Sequence, residues 1–95
     1  MRLVWSRPAR ASISDIFAYI KVYNPAAAQK VKLNILLSAR KLVEFPEIGR
    51  QAERPGVRLL VVAGSPYILA YTISGTTVEI GSVIDGRMKR SPDLF

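Results

Sequence analysis

Ile20-Lys21-Val22-Tyr23-Asn24-Pro25-Ala26-Ala27-Ala28 is the stretch on which the fold turns. Asn24 offers a side-chain oxygen that caps a helix start. Pro25 suits the first helical position, where its missing N–H has no partner to lose. The residue before a proline is pushed out of the helical region, so the helix arriving at Tyr23 must stop as the next one begins. The chain therefore makes a helical hairpin.

Upstream, Ser6 and Pro8 repeat the same start signal. Ala9, Ile13, Ile16, Phe17 and Ile20 then share one helical face, with Arg10, Ser14 and Lys21 turned away from it. Before them, Leu3-Val4-Trp5 is long enough for one short strand, with Trp5 expected in the core. Downstream, the second helix runs to about Glu44 on a stripe of Ala28, Val31, Ile35, Ala39 and Leu42, widened by Leu36 and Val43. Leu33 and Leu37 fall roughly 140° and 180° from Ala28 on the same wheel, beside Lys30, Arg40 and Lys41. They should be exposed unless something covers them.

Phe45-Pro46-Glu47-Ile48-Gly49 breaks the second helix, and residues 49 to 56, with two Gly, one Pro and alternating charges, read as a loop. Val57 to Val62 is apolar except at Arg58, the pattern of a strand buried on both faces. Gly64-Ser65-Pro66 makes a turn. Tyr67 to Ile73 and Thr77 to Ile84 are strands joined by a Ser74-Gly75 hairpin, and Asp85-Gly86 closes the last. The expected architecture is α+β in the order β-α-α-β-β-β, a small antiparallel sheet with a helical hairpin on one face, forming a single domain over residues 1–95. One hairpin covers one face of such a sheet. With both faces of the Val57 strand apolar, the other face should need a partner.

The chain has 95 residues, 49% of them hydrophobic, enough to exclude disorder over most of its length. A domain of this size buries only about two-thirds of its unfolded surface, which again leaves room for a partner to complete the core. No Cys and no His occur. That removes disulfides, zinc sites and imidazole or thiol catalysis, and leaves carboxylates, Tyr, Lys and Arg for any chemistry. The seven acidic residues are scattered, with only Glu44 and Glu47 near one another, so no metal site is expected. The six glycines match neither a dinucleotide fingerprint nor a phosphate loop, so no nucleotide cofactor is expected either. No apolar run is long enough to span a membrane and no signal segment opens the chain, which suggests a cytoplasmic protein, although the lack of Cys is compatible with secretion too.

The net charge of +7 is unevenly placed. Residues 1–41 hold eight basic residues against Asp15 alone, and residues 42–95 hold six of each sign. A basic half suggests nucleic acid or an acidic protein partner; without interleaved aromatics it reads equally well as a solvated helix surface. Arg58, alone in its apolar strand, and Arg87, just past the last strand, would form a two-arginine phosphate clamp if their strands pair. They read equally as an outward-facing strand residue and a solvated tail charge. The four tyrosines, Tyr19, Tyr23, Tyr67 and Tyr71, all precede the tail.

Ile16-Phe17-Ala18-Tyr19-Ile20, Asn24-Pro25-Ala26-Ala27-Ala28 and Phe45-Pro46-Glu47-Ile48-Gly49-Arg50 resemble the first half of the RelE/ParE toxins of prokaryotic type II toxin–antitoxin systems. Pro55-Gly56-Val57-Arg58, Ser65-Pro66-Tyr67 and Val83-Ile84-Asp85-Gly86-Arg87 resemble the second half, so the likeness covers nearly the whole chain. It implies a β-α-α-β-β-β toxin whose exposed surfaces are occupied by a cognate antitoxin, through which it oligomerises. RelE-like members cleave mRNA on the ribosome, with basic residues and a Tyr or His near the C-terminus. ParE-like members, linked to plasmid stabilization, poison DNA gyrase. Arg58 and Arg87 match two basic positions, but no His exists and no Tyr follows Tyr71, so the likeness is closer to ParE: a gyrase inhibitor with no catalytic residues, rather than an enzyme or a direct nucleic-acid binder. Asp85 stands where the family often has His. Target contacts are expected at Arg58, Arg87, Lys89 and Arg90, and antitoxin contacts at Leu33, Leu36 and Leu37. The alternatives are an mRNA interferase drawing on Glu47 or Glu53 as acid or base, and an inactive member that retains antitoxin binding.

Overall fold

A computed structural model describes residues 1–87; Lys89 and Arg90 lie outside the described residues. The order is β1 (Arg2–Trp5), α1 (Arg7–Tyr23), α2 (Pro25–Glu44), β2 (Arg50–Gln51), β3 (Val57–Val61), β4 (Tyr67–Ser74) and β5 (Thr77–Asp85), with the strands arranged β1-β5-β4-β3-β2 in one sheet. Asn24 joins the two helices as the local chemistry requires. Its N–H donates to the Ile20 carbonyl (2.8 Å), ending α1, while its side-chain oxygen accepts from the Ala27 N–H (3.1 Å), starting α2. Ser6 is also bifunctional. Its hydroxyl accepts from the Ala9 N–H (3.1 Å) to cap α1 and donates to the Gly81 carbonyl (2.8 Å), closing the seam between β1 and β5.

Two expectations about the sheet are corrected. It is mixed rather than antiparallel, because β1 runs parallel to β5, with Arg2 opposite Thr77 and Trp5 opposite Ile80. The short segment Leu3-Val4-Trp5 has no turn to fold it back on a neighbour in sequence, and the helices carry the chain across before the partner strand arrives. The segment read as a loop also contains β2, which pairs with β3 through Arg50 opposite Leu59 and Gln51 opposite Arg58. Two charged or polar residues carry no period-two signal.

The helical hairpin packs on one face of the sheet. Ala9 from α1 and Ile35, Ala39 and Leu42 from α2 meet Val62, Leu69, Tyr71, Val78, Ile80 and Val83, all buried, with Trp5 half-buried beside them. On the far face Leu59, Ile68 and Ala70 are also buried, against Ala52, Val57 and Ile84. The expected uncovered face is therefore mostly sealed by this chain itself. Small Ala70 and the close cross-strand neighbours reduce what must be covered, and of the Val57–Val62 run only Val61 is well exposed, at 61%. The larger apolar exposure lies instead on the helices and on the turn after α2: Tyr19, Val22 and Tyr23; Leu33, Leu36 and Leu37; Phe45 and Ile48.

Ile35 is fully buried where α2 meets the sheet. Ile35→Ala should lower unfolding free energy by about 3 kcal/mol through lost burial and a residual cavity, read as a lower urea midpoint with an unchanged slope.

Candidate functional site

Arg58 and Arg87 do not form a clamp. Arg58 sits opposite Tyr71 on β4, whereas Asp85, two residues before Arg87, sits opposite Tyr67, and β4 separates the two strands. Strand spacings put the Arg58 and Asp85 backbones roughly 16 Å apart, with Arg87 farther on. The two arginines mark opposite ends of the helix-covered face.

At the Arg58 end the chemistry is structural. The Tyr71 side chain is buried, and its hydroxyl donates to the Pro46 carbonyl (2.7 Å) and accepts from the Gly49 N–H (2.9 Å). Arg58 Nη1 donates to the Gly49 (2.8 Å) and Glu47 (3.2 Å) carbonyls. Together they bind the turn after α2 to the sheet. Burial raises the Tyr71 pKa, opposed by the Gly49 hydrogen bond and the nearby Arg58 charge, so the phenol stays protonated and able to donate. Gly49 is required by this approach: a Cβ there would stand 2.6 Å from the Tyr71 hydroxyl and 2.9 Å from the Leu59 carbonyl oxygen. Glu47 lines an opening of about 280 Å³ beside Arg58 with Gln51 and Gly56. Glu53, the other carboxylate considered for acid or base work, is exposed in the loop before β3 and is not among the residues lining that opening.

At the other end Arg87 is anchored to Asp85. Its Nη2 and Nε reach the two carboxylate oxygens (2.8 and 3.1 Å), and its N–H reaches Asp85 Oδ1 (2.9 Å). The guanidinium nevertheless stays 70% exposed. Its hydrogen bonds hold the Asp85 carboxyl below the ordinary carboxylate range. The pair borders a cleft of about 380 Å³ between α1 and the ends of β4 and β5, lined by Ser12, Asp15, Ile16, Tyr19, Tyr67 and Val83 as well. Tyr67 has its pKa raised, by burial first and by Asp85 second. Sequence reasoning missed this grouping of Asp15, Tyr19 and Tyr67. The i, i+4 spacing of Tyr67 and Tyr71 in a strand signals that they share a face, but not which helix residues stand opposite.

The helices carry the third feature. Leu33 (54% exposed), Leu37 (52%) and Leu36 (37%) stand out on α2 as expected. Leu36 also lines a groove of about 380 Å³ between the helices with Trp5, Arg10, Ile13, Phe17 and Lys32. The Lys21 and Lys32 ammonium groups lie 5.8 and 5.4 Å from the centre of the Phe17 ring, which keeps positive charge at the rim of an apolar trough. Among the described residues no helix is long and apolar enough to cross a membrane.

Tyr71→Phe should cost about 2 kcal/mol in urea unfolding, because it leaves the Gly49 N–H and the Pro46 carbonyl without their partner. Asp85 gives a pH dependence of known sign. A carboxyl whose folded pKa is depressed contributes stability that is present above about pH 4 and is lost as pH falls through the lower folded value. The urea midpoint of the wild type should therefore fall relative to that of Asp85→Asn only below about pH 4, and modestly, since Arg87 is solvent-screened.

Comparison with known proteins agrees over nearly the whole chain. The family model described as "ParE toxin of type II toxin-antitoxin system, parDE" matches residues 3–90. Toxin RelE2 of Caulobacter vibrioides is 35% identical over 79 residues, 83% of this chain and 88% of that one. The putative toxin Y4kP of Sinorhizobium fredii is 37% identical over 83 residues (87% and 85%), and Toxin ParE3 of C. vibrioides is 29% identical over 96 residues (98% and 94%). A solved structure described as a chromosomal ParDE toxin–antitoxin system from P. aeruginosa superposes with a TM-score of 0.81 at 28% identity, covering 90% of this chain and 95% of that one. With its two-helix hairpin on a five-stranded mixed sheet, the chain belongs to the ParE toxin family of type II toxin–antitoxin systems, a membership that implies a cognate antitoxin.

Proposed function

We propose that this toxin acts as ParE-like members do, binding DNA gyrase without catalysing a reaction of its own, and that its antitoxin neutralises it. The observation that carries this reading is the separation of Arg58 from Arg87. Phosphodiester cleavage without metal needs cations, an acid and a base gathered on one phosphate. Here Arg58 is occupied in holding the turn after α2 to the sheet, and Arg87 is paired with Asp85 at the far end. Target contact runs through the exposed Arg87 and, beyond it, Lys89 and Arg90. Arg58 contributes by fixing the turn that presents Phe45 and Ile48.

The antitoxin surface is the α2 stripe of Leu33, Leu36 and Leu37 with the adjoining groove. An apolar trough rimmed by Arg10, Lys21 and Lys32 suits an amphipathic segment with carboxylates along its flanks.

A second reading, an mRNA interferase, is favoured by the cleft that holds a phenol, a carboxylate and a guanidinium in Tyr67, Asp85 and Arg87, and by the likeness to Toxin RelE2. The two readings separate in one pair of assays. Purified toxin should block gyrase supercoiling and leave mRNA intact during translation, with Arg87→Ala weakening the block about tenfold. Ribosome-dependent cleavage that Tyr67→Phe abolishes, with gyrase unaffected, would reverse the assignment. For the interface, Leu33→Glu with Leu37→Glu should weaken antitoxin binding at least about tenfold, ~1.4 kcal/mol, and leave the monomer folded by circular dichroism.

A further inference from the structure

Among the described residues only Arg58 and Arg87 use their guanidinium groups in hydrogen bonds, and they use them differently. Arg58 gives Nη1 to main-chain carbonyls and serves the fold. Arg87 is held and yet stays 70% exposed. Its backbone is fixed first. Asp85 pairs with Tyr67 on β4, and the next residue, Gly86, donates its N–H to the Pro66 carbonyl (2.7 Å). A Cβ on Gly86 would stand 2.9 Å from the Pro66 oxygen and from Ile68 Cδ1, so this approach requires glycine. The Arg87 N–H then donates to Asp85 Oδ1 (2.9 Å), and the side chain returns to the same carboxylate through Nε (3.1 Å) and Nη2 (2.8 Å). Main chain and head group are tied to one residue.

The mode of pairing decides what is left over. Asp85 takes the Nε edge of the guanidinium, so among the described residues both Nη1 hydrogens and the remaining Nη2 hydrogen are uncommitted. They form a planar fork that fits a carboxylate or a phosphate in a bidentate pair. The setting favours a carboxylate. Asp15 and Asp85 line the cleft beside Arg87, the one cation among its lining residues, so a run of phosphates would be set against both acids, whereas a single carboxylate is met by the fork. A free arginine must give up rotamer freedom to make such a pair, and here Asp85 has already removed it. Asp85 also offsets part of the charge, but water screens a side chain this exposed, so the gain in order outweighs the loss of charge.

We propose that Asp85 is a positioning residue: it orders Arg87 so that the outer Nη1–Nη2 edge of the guanidinium takes one carboxylate of the target protein. The proposal rests on the gyrase reading above. It adds the residue that acts through Arg87 and the chemistry of the group that Arg87 meets. Lysine could not replace Arg87 in this role, because an ammonium is a point charge with no second edge for Asp85 to hold.

The test is a double-mutant cycle on the full-length toxin, read as affinity for purified gyrase without DNA and as block of supercoiling. Asp85→Ala should weaken binding about fivefold, through lost order in Arg87. The weakening should persist at high salt, because order rather than charge is lost. In the Arg87→Ala background the same change should have no further effect. Arg87→Lys should bind about as poorly as Arg87→Ala, and Asp85→Asn, which keeps an acceptor oxygen for the Arg87 N–H, should fall between wild type and Asp85→Ala. Nitrogen-15 relaxation at Arg87 Nε needs no target: it should report a rigid side chain in the free wild type and a mobile one in Asp85→Ala, both folded by circular dichroism. Asp85→Ala binding as tightly as wild type or tighter would overturn the positioning role and leave the gyrase reading standing. Losses that add in the double variant, the mark of a merely structural role, would do the same. A dependence on Arg87 seen only with DNA-bound gyrase would overturn the carboxylate and point to phosphate. A wild type that neither binds nor blocks gyrase would overturn both the proposal and the reading beneath it.

Discussion

The hydroxyl of Tyr71 lies inside the core, and a buried phenol without partners costs roughly 1–3 kcal/mol, so the backbone around it must come to meet it. Pro46 and Gly49 do so. Their approach bends the chain sharply after α2, delivers β2 to the edge of β3, and brings two carbonyls within reach of Arg58. The run Phe45-Pro46-Glu47-Ile48-Gly49 thus has a physical logic. The proline carbonyl accepts, the glycine admits the ring because it lacks a Cβ, and Phe45 and Ile48 are left outside on a turn that the sheet holds still. The same contacts decide the role of Arg58. A guanidinium whose Nη1 is engaged by two main-chain carbonyls is anchored to its own fold before any target arrives.

The surface divides by charge in a way the total of +7 conceals. Positive charge borders the apolar trough between the helices, where Lys21 and Lys32 flank Phe17 and Arg10 stands nearby. The cleft at the ends of β4 and β5 instead sets Asp15 and the Asp85–Arg87 pair around two tyrosines. A partner seated on the trough is therefore favoured when it carries carboxylates. Such a pattern discriminates against wrong partners more than it adds affinity, since each exposed pair contributes little by itself.

What could be read from the sequence was whatever is encoded locally. Asn24-Pro25 and Ser6 with Pro8 mark helix ends by hydrogen bonds and steric limits acting within four residues, and both fall where they were placed. The exposure of Leu33 and Leu37 follows from helical periodicity alone, and Ser74-Gly75 from the demands of a tight turn. The missed features depend on who stands opposite whom. The parallel pairing of β1 with β5 joins residues some 75 positions apart. β2 is two residues long and exists because Tyr71 and Arg58 hold the turn before it. Arg58 and Arg87 are both arginines near strand ends, and only the insertion of β4 between their strands shows that they cannot meet. The far face was expected to lie open because both sides of β3 are apolar, yet small Ala70 and the neighbours Ala52 and Ile84 suffice to cover Leu59 and Ile68.

That last point moves the argument for a partner from the sheet to the helices. A bare sheet face would be a single broad apolar demand that many hydrophobic surfaces could meet. Three leucines on one helix and a cation-rimmed groove beside them are separate demands, one for apolar area and one for negative charge at a set place. An extended segment that met both would have to place apolar side chains over the leucines and carboxylates along the rim of the groove. Ordering such a segment would cost it conformational freedom, which the buried leucine area must offset. Arg87 is not part of that groove: its side chain is exposed and its geometry is set by Asp85, independently of what covers the helices.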